Sequence, residues 1–264
     1  MTENDELSFW DHLDVLRSVI FKIIIVGGLC SLLAFCCKDL LFKIILAPKD
    51  CNFITYQILQ TEPFHIDLVN TGLTEQFLVH MKAALFFGIL CASPYIIYQL
   101  YKFIAPALYD SERKYSARII SSAYAMFFVG TLVNYFLIYP LTVRFLATYS
   151  VSSDVRNMLT IQSYMDTLLM MSLVFSLIFE IPVISWLLAL IGMLKHTWMK
   201  QYRKHAFVAI VIIAAVITPT SDAFTLFIVS LPIWLLYEFS IYIVKVTEHQ
   251  KHDETSLETS GESK

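Results

Sequence analysis

The chain has 264 residues, 57% of them hydrophobic and 16% charged, and its mean hydropathy of +0.64 is far too high for a soluble domain of this size. The net charge of −3 leaves no basic surplus to neutralise phosphates, which argues against nucleic acid as a partner. A bilayer core of roughly 30 Å takes about 20 helical residues per crossing, so six crossings consume about 120 residues and leave short connections, two tails and no room for a folded ATPase or receptor domain.

The N-terminal stretch is acidic (Glu3, Asp5, Glu6, Asp11, Asp14), lacks a basic n-region and runs into apolar sequence with no small-residue cleavage site, so it reads as retained. Within FWDHLDVLR, Phe9, Leu13, Leu16 and Ile20 share one helical face while Trp10, Asp14 and Arg17 line another. That is the pattern of an amphipathic helix along the interface, with Asp14 and Arg17 as a weak i, i+3 pair. Residues 1–17 therefore read as a cytoplasmic amphipathic segment, 18–246 as a polytopic transmembrane domain and 247–264 as a disordered, polar cytoplasmic tail.

The first crossing is predicted from Ser18 to Cys37, followed by LLFKIILAP, an interfacial helix ending at Pro48, and a polar loop to Leu73. The second runs from Phe77 to Ile104, the third from Ile119 to Tyr149 and the fourth from Tyr164 to Leu194. A basic loop, Lys195 to Lys204, precedes a fifth segment of about 14 residues, Ala206 to Pro219, short enough to imply local bilayer thinning. After TPTSD the sixth crosses from Phe224 to Val244. Lys102, Arg113, Lys114 and Arg118 after the second crossing, and Lys195, Lys200, Arg203 and Lys204 after the fourth, place those loops and both termini in the cytoplasm. Lys38, Lys43 and Lys49 in the first outer loop run against that trend.

Pro94, Pro140, Pro182, Pro219 and Pro232 fall inside or at the ends of the segments. Each removes a backbone donor and frees a carbonyl that needs a partner in lipid, so a curved bundle of bent helices is expected. Gly130 and Gly192 are isolated and no GxxxG occurs, so tight pairwise packing of the glycophorin type is not expected. Cys30, Cys36, Cys37, Cys51 and Cys91 have neither metal-ligand spacing nor an obvious pairing set and read as buried free thiols.

Enzyme motifs are missing: no GxSxG, HExxH or Gly-rich phosphate loop occurs, and the seven histidines are scattered. No catalytic residue, metal site or cofactor is assigned. The chemistry falls to isolated charges, foremost Glu180 in LIFEIPVI, deep in a crossing where a charge costs from about 2.5 kcal/mol upwards. Two readings stand for it: protonated and bonded to a carbonyl freed by Pro182, or a polar spot in a groove that binds or moves something. Lys82 lies near the outer end of its helix and can snorkel. The loop FIAPALYDSER presents Asp110 and Glu112 at the membrane face, either as solvated acids beside Arg113 and Lys114 or as a binding site.

HLDVLR, ASPYIIYQLYKFIAPALYDSER from Ala92, VGTLVNYFLIYP, FEIP around Glu180 and the TP…D turn at Thr218 to Asp222 together resemble the twin-arginine translocase subunit TatC, in order from about residue 8 to 245. The resemblance implies an all-α membrane protein of six bent helices in a cupped bundle, both termini cytoplasmic, in the cell inner membrane. It also implies a receptor rather than an enzyme. Such a receptor binds the paired arginines of signal peptides on folded cargo and works with single-span TatA and TatB subunits in a hetero-oligomer of several copies, driven by the proton-motive force. Carried over by motif, Glu112 binds the arginines, Phe103, Pro106 and Tyr109 shape that site, and Glu180 is the membrane-buried glutamate. Asp222 matches the acidic residue of the outer turn and receives no chemical role. Many members carry a glutamate where this chain has Val15, so Asp11, four residues earlier on the same face, or Asp14 is the candidate second anion. A proton- or ion-coupled small-molecule transporter with Glu180 as relay is the alternative from another class, although no internal symmetry supports it. A purely structural assembly subunit is the third.

Overall fold

The computed structural model describes residues 9–60, 63–104, 116–149, 158–218 and 222–261. Their architecture is helical throughout, apart from a two-stranded ladder. In chain order the helices are α1 (Phe9–Cys36), α2 (Lys38–Leu46), α3 (Ile54–Ile58), α4 (Glu75–Ile104), α5 (Ser116–Val133), α6 (Tyr139–Thr148), α7 (Ile161–Ile178), α8 (Ile181–Leu190), α9 (His196–Gln201), α10 (Arg203–Ile217) and α11 (Ala223–Gly261). Five spans are long and apolar enough to cross a bilayer: Leu13–Cys36, Glu75–Phe103, Ala117–Thr148, Ile161–Leu190 and Ala223–His249. The sixth expected crossing is α10, whose 15 residues reach about 22 Å against a core of about 30 Å.

Two boundaries differ from expectation. The N-terminal stretch is no separate interfacial helix, because α1 runs unbroken from Phe9 into the first crossing. At the other end α11 carries helix through the polar stretch from Thr247 to Gly261, which was expected to be disordered. In both places a formed helix extends at little cost through residues that include no proline, since nucleation is already complete. Asp14 and Arg17 do not pair; the Arg17 guanidinium lies 5.6 Å from the Phe21 ring centroid.

Prolines interrupt the helices, and the carbonyls freed by Pro94 and Pro140 are each met by a side-chain hydroxyl. Pro94 sits inside α4, and the Leu90 carbonyl four residues before it accepts from the Ser93 hydroxyl at 2.7 Å. Before Pro140 the chain widens into a π-helical turn, Asn134–Ile138, and the Phe136 carbonyl accepts from the Thr55 hydroxyl. Tyr56 adds hydrogen bonds to the carbonyls of Pro48 (2.9 Å) and Pro140 (3.0 Å), while Tyr164 donates to Ile45 (3.0 Å) and Tyr139 to Tyr164 (2.8 Å). These buried tyrosines tie the segment from α2 to α3 onto the bend between α5 and α6. Pro182 stands in the first turn of α8 and breaks the fourth crossing into α7 and α8.

Packing is led by α1 along α4, then α11 on α8, α5 on α7 and α4 on α7. Two single glycines set close approaches between helices. A Cβ on Gly88 would lie 2.5 Å from the Ser31 backbone, and one on Gly130 would lie 2.7 Å from the Phe175 carbonyl oxygen. Close approach therefore rests on single glycines facing a partner backbone, with no need for a GxxxG repeat on either helix. Between α5 and α7 the interface is also polar: Thr131 and Ser176 hydroxyls meet at 2.6 Å and Asn134 donates to Ser172 at 2.8 Å. The core around Val79, Ala83, Met165 and Phe175 is fully buried. The five cysteines are free as expected but are not buried: Cys36, Cys37, Cys51 and Cys91 are exposed.

At the end of the bundle where α9 lies, the Glu248 carboxylate accepts from the His196 backbone N–H at 2.9 Å and meets its ring. Arg203 pairs with Glu238 at 2.6 Å, and Tyr237 donates to the Met199 carbonyl at 2.8 Å. These contacts hold the basic loop against α11.

Candidate functional site

The break at Phe179 and Glu180 is stable as backbone. Phe179 N–H donates to Phe175, Glu180 N–H to Leu177, and the Glu180 carbonyl accepts from Ile184 at 2.9 Å. The side chain is left over: Glu180 is the N-cap residue of α8 but caps nothing. Its Oε1 is buried and makes no hydrogen bond among the described residues. The reading in which Glu180 bonds a carbonyl freed by Pro182 is therefore not realised. A buried carboxylate oxygen without a partner carries a desolvation cost that an occupant able to donate a hydrogen bond would remove.

Glu180 is one of the residues lining a cavity of about 340 Å³ between α4, α5, α7 and α8, with Ser93, Ile97, Tyr101, Ile119, Leu177 and Val183 among the others. Tyr101 lines the same cavity, and its buried hydroxyl likewise has no partner among the described residues. Tyr101 lies in the last turn of α4 and Ile119 in the first turn of α5. The two helix ends that flank Glu112 in the sequence thus form one end of the groove in which Glu180 sits.

The remaining predicted site residues divide by place. Phe103 is half-buried in the last turn of α4 and Asp14 is exposed on α1, next to Val15 at 41% exposure. Pro106, Tyr109 and Glu112 lie outside the described residues, as does the side chain of Asp11. Asp222 has a structural task the sequence reading did not assign: its Oδ1 accepts from Thr225 N–H at 2.7 Å, capping the start of α11. One residue went unnoticed altogether. Asp166, on α7, pairs with Lys82 at 2.7 Å, so Lys82 does more than snorkel. The signal was present as a carboxylate five positions into an apolar helix.

These features define a multi-pass, all-helical membrane protein bent around a lateral apolar groove that holds an unpartnered carboxylate. The chain belongs to the TatC family of Sec-independent protein translocase proteins, whose family model matches residues 11–232. It is similar to TatC of Blattabacterium sp. subsp. Periplaneta americana, 32% identical over 256 residues, covering 91% of this chain and 96% of that protein. It is likewise similar to TatC of Carboxydothermus hydrogenoformans, at 31% identity with 92% and 95% coverage. A crystal structure of the twin-arginine translocase receptor TatC matches with a TM-score of 0.76 at 29% identity, covering 89% of this chain and 99% of that one. The family is a transport component of a protein translocase and not a class of enzyme.

Proposed function

We propose that this chain is the receptor subunit of a twin-arginine translocation system, docking the paired arginines of signal peptides on folded cargo at Glu112. Phe103, Pro106 and Tyr109 shape that site, and Asp11 or Asp14 supplies the second anion. A guanidinium presents a planar fork that a carboxylate accepts bidentately and an ammonium cannot match, so lysine is a poor substitute for arginine. Glu180 then holds the inserted signal peptide or a partner helix within the membrane. TatA or TatB single-span subunits complete a hetero-oligomer of several copies, with both termini cytoplasmic in the cell inner membrane and export driven by the proton-motive force.

The observation that carries this reading is the groove itself: Glu180 and Tyr101 line one apolar cavity and each keeps a buried polar atom without a partner among the described residues, and one end of that cavity is built by the helix termini flanking Glu112 in the sequence. Family membership supports the same reading, as does the relative of known structure, which is described as a twin-arginine translocase receptor. The test is photo-crosslinking of a twin-arginine signal peptide and its lysine-lysine variant to this chain in native membranes holding the partner subunits, with wild type and Glu112→Gln. Selective capture of the arginine peptide, lost in Glu112→Gln, is the expected result. Equal capture of both peptides by wild type would overturn the reading.

A further inference from the structure

β1 (Leu68–Val69) and β2 (Leu159–Thr160) pair in parallel, Leu68 with Leu159 and Val69 with Thr160, just before α4 and α7 begin. The ladder brings the first turns of those helices level. Lys82 then lies about 10 Å along α4 and Asp166 about 8 Å along α7, at about 1.5 Å per residue. Lys82 Nζ donates to Asp166 Oδ1 at 2.7 Å, with side-chain exposures of 45% and 42%. The pair borders a lateral cavity of about 700 Å³ walled by Phe86, Ile89, Leu173 and Ile217. Ile89 and Leu173 also wall the Glu180 cavity, so the two cavities adjoin at these side chains.

We propose that the Lys82–Asp166 pair and this cavity bind the headgroup of a zwitterionic aminophospholipid, phosphate on Lys82 and ammonium on Asp166, with one acyl chain laid along the groove towards Glu180. Three observations support that occupant. Lys82 keeps two N–H donors and Asp166 keeps Oδ2 without partners among the described residues, so each charge is free to take a second contact. The site is neutral overall, positive on one helix and negative on the other; a zwitterion satisfies both, whereas an anionic headgroup meets repulsion from Asp166.

Depth is the third. α10 ends at Ile217 on this cavity, about 8 Å short of a full hydrocarbon core, so headgroups at this wall sit lower in the membrane and level with the pair. From Asp166 to Glu180 the groove follows α7 and its break for about 21 Å, enough for an acyl chain that spans about half the hydrocarbon thickness.

The experiment is native mass spectrometry of the full-length chain, purified in mild detergent and offered defined mixtures of phosphatidylethanolamine and phosphatidylglycerol. One retained phosphatidylethanolamine, preferred by about tenfold, is the expected result for wild type, a ratio suited to losing one charge-assisted contact. Asp166→Asn is expected to abolish the preference, because the contact that separates the two headgroups is gone, whereas Lys82→Gln removes the phosphate contact that both headgroups share and is expected to lower retention of either lipid. Met170→Trp, which adds bulk at the cavity wall and leaves both charges, is expected to expel the lipid. No preference in wild type, a preference for phosphatidylglycerol, an unchanged preference in monodisperse Asp166→Asn, or unchanged lipid retention in monodisperse Lys82→Gln and Met170→Trp would overturn the proposal. So would crosslinking from position 170 to a single-span partner helix with no lipid retained.

Discussion

Gly130 faces the carbonyl oxygen of Phe175 so closely that a Cβ on the glycine would lie 2.7 Å from it. The α5 and α7 backbones touch there, and the Thr131–Ser176 and Asn134–Ser172 hydrogen bonds follow within the next turn of α5. Gly130→Ala is therefore expected to cost about 1–3 kcal/mol, because the clash is with backbone and has no rotamer to escape into. Gly28→Ala is the matched control: nothing lies within 4 Å of a Cβ at that position, and removing a helical glycine is neutral to mildly stabilising. Heating detergent-solubilised variants and measuring the fraction that stays monodisperse checks both. Equal behaviour of the two would refute the backbone contact.

Thr55 closes the other weak point of the bundle, the Phe136 carbonyl left without a helical donor by Pro140. Thr55→Val keeps the shape and removes the donor, leaving a buried acceptor unpaired at a cost of about 1–3 kcal/mol. Thr55→Ser keeps the hydroxyl and is expected to retain most of the stability. If valine and serine lose stability equally, packing rather than hydrogen bonding explains the site.

Tyr56, beside it, gives a pH dependence. Burial holds its hydroxyl neutral well above the ordinary tyrosine range, opposed weakly by the Arg144 charge. A phenol whose folded pKa is raised stabilises the fold fully below the unfolded value near 10, and that contribution is lost as pH rises from there towards the folded value. Stability is therefore expected to fall above about pH 10. Tyr56→Phe is expected to be less stable at neutral pH, having lost hydrogen bonds to Pro48 and Pro140, and to show a shallower alkaline decline. A variant with the wild-type alkaline slope would remove Tyr56 from that account.

Asp222 tests whether a family-matched acid acts as a cap. Asp222→Ala is expected to destabilise the start of α11 by about 0.5–2 kcal/mol, while Asp222→Asn, which can still accept from Thr225 N–H, restores most of it. Limited proteolysis near residues 218–223 reads the difference. Equal protection of wild type and the alanine variant would exclude the cap.

The long elements were legible in the sequence because hydropathy and proline position report directly on what lipid demands: the segment from Phe77 to Ile104 became Glu75–Ile104, and the short fifth segment became α10. Contacts between helices were not legible. Nothing in the spacing of Gly130 says that it faces Phe175, and nothing local joins Lys82 to Asp166, 84 residues apart, because the strand ladder that levels their helices has two residues in each strand. A single charge inside an apolar run was the signal that drew attention to Glu180, and Asp166 carried the same signal closer to its helix end. The polar end of α11 misled for a different reason. Composition describes whether a segment can begin a structure alone, whereas this one continues a helix already formed.

Glu180 and the proposed docking residues stand apart. Glu180 lies in the break between α7 and α8, whereas Phe103 lies in the last turn of α4. In the proposed function, docking of a signal peptide at Glu112 needs no contact with Glu180, and occupation of the groove does. Glu180→Ala is expected to leave first docking within about twofold of wild type and to lower cargo transport by at least about tenfold, the equivalent of about 1.4 kcal/mol. Glu180→Gln keeps the shape and a hydrogen-bonding group, so it is expected to fall between wild type and alanine if the carboxylate serves as an acceptor, and to match alanine if its charge is needed. Peptide crosslinking at the loop and cargo export in vesicles, measured on the same membranes, read the two steps. Equal loss of docking and transport in Glu180→Ala would show that the buried carboxylate and the surface site act as one.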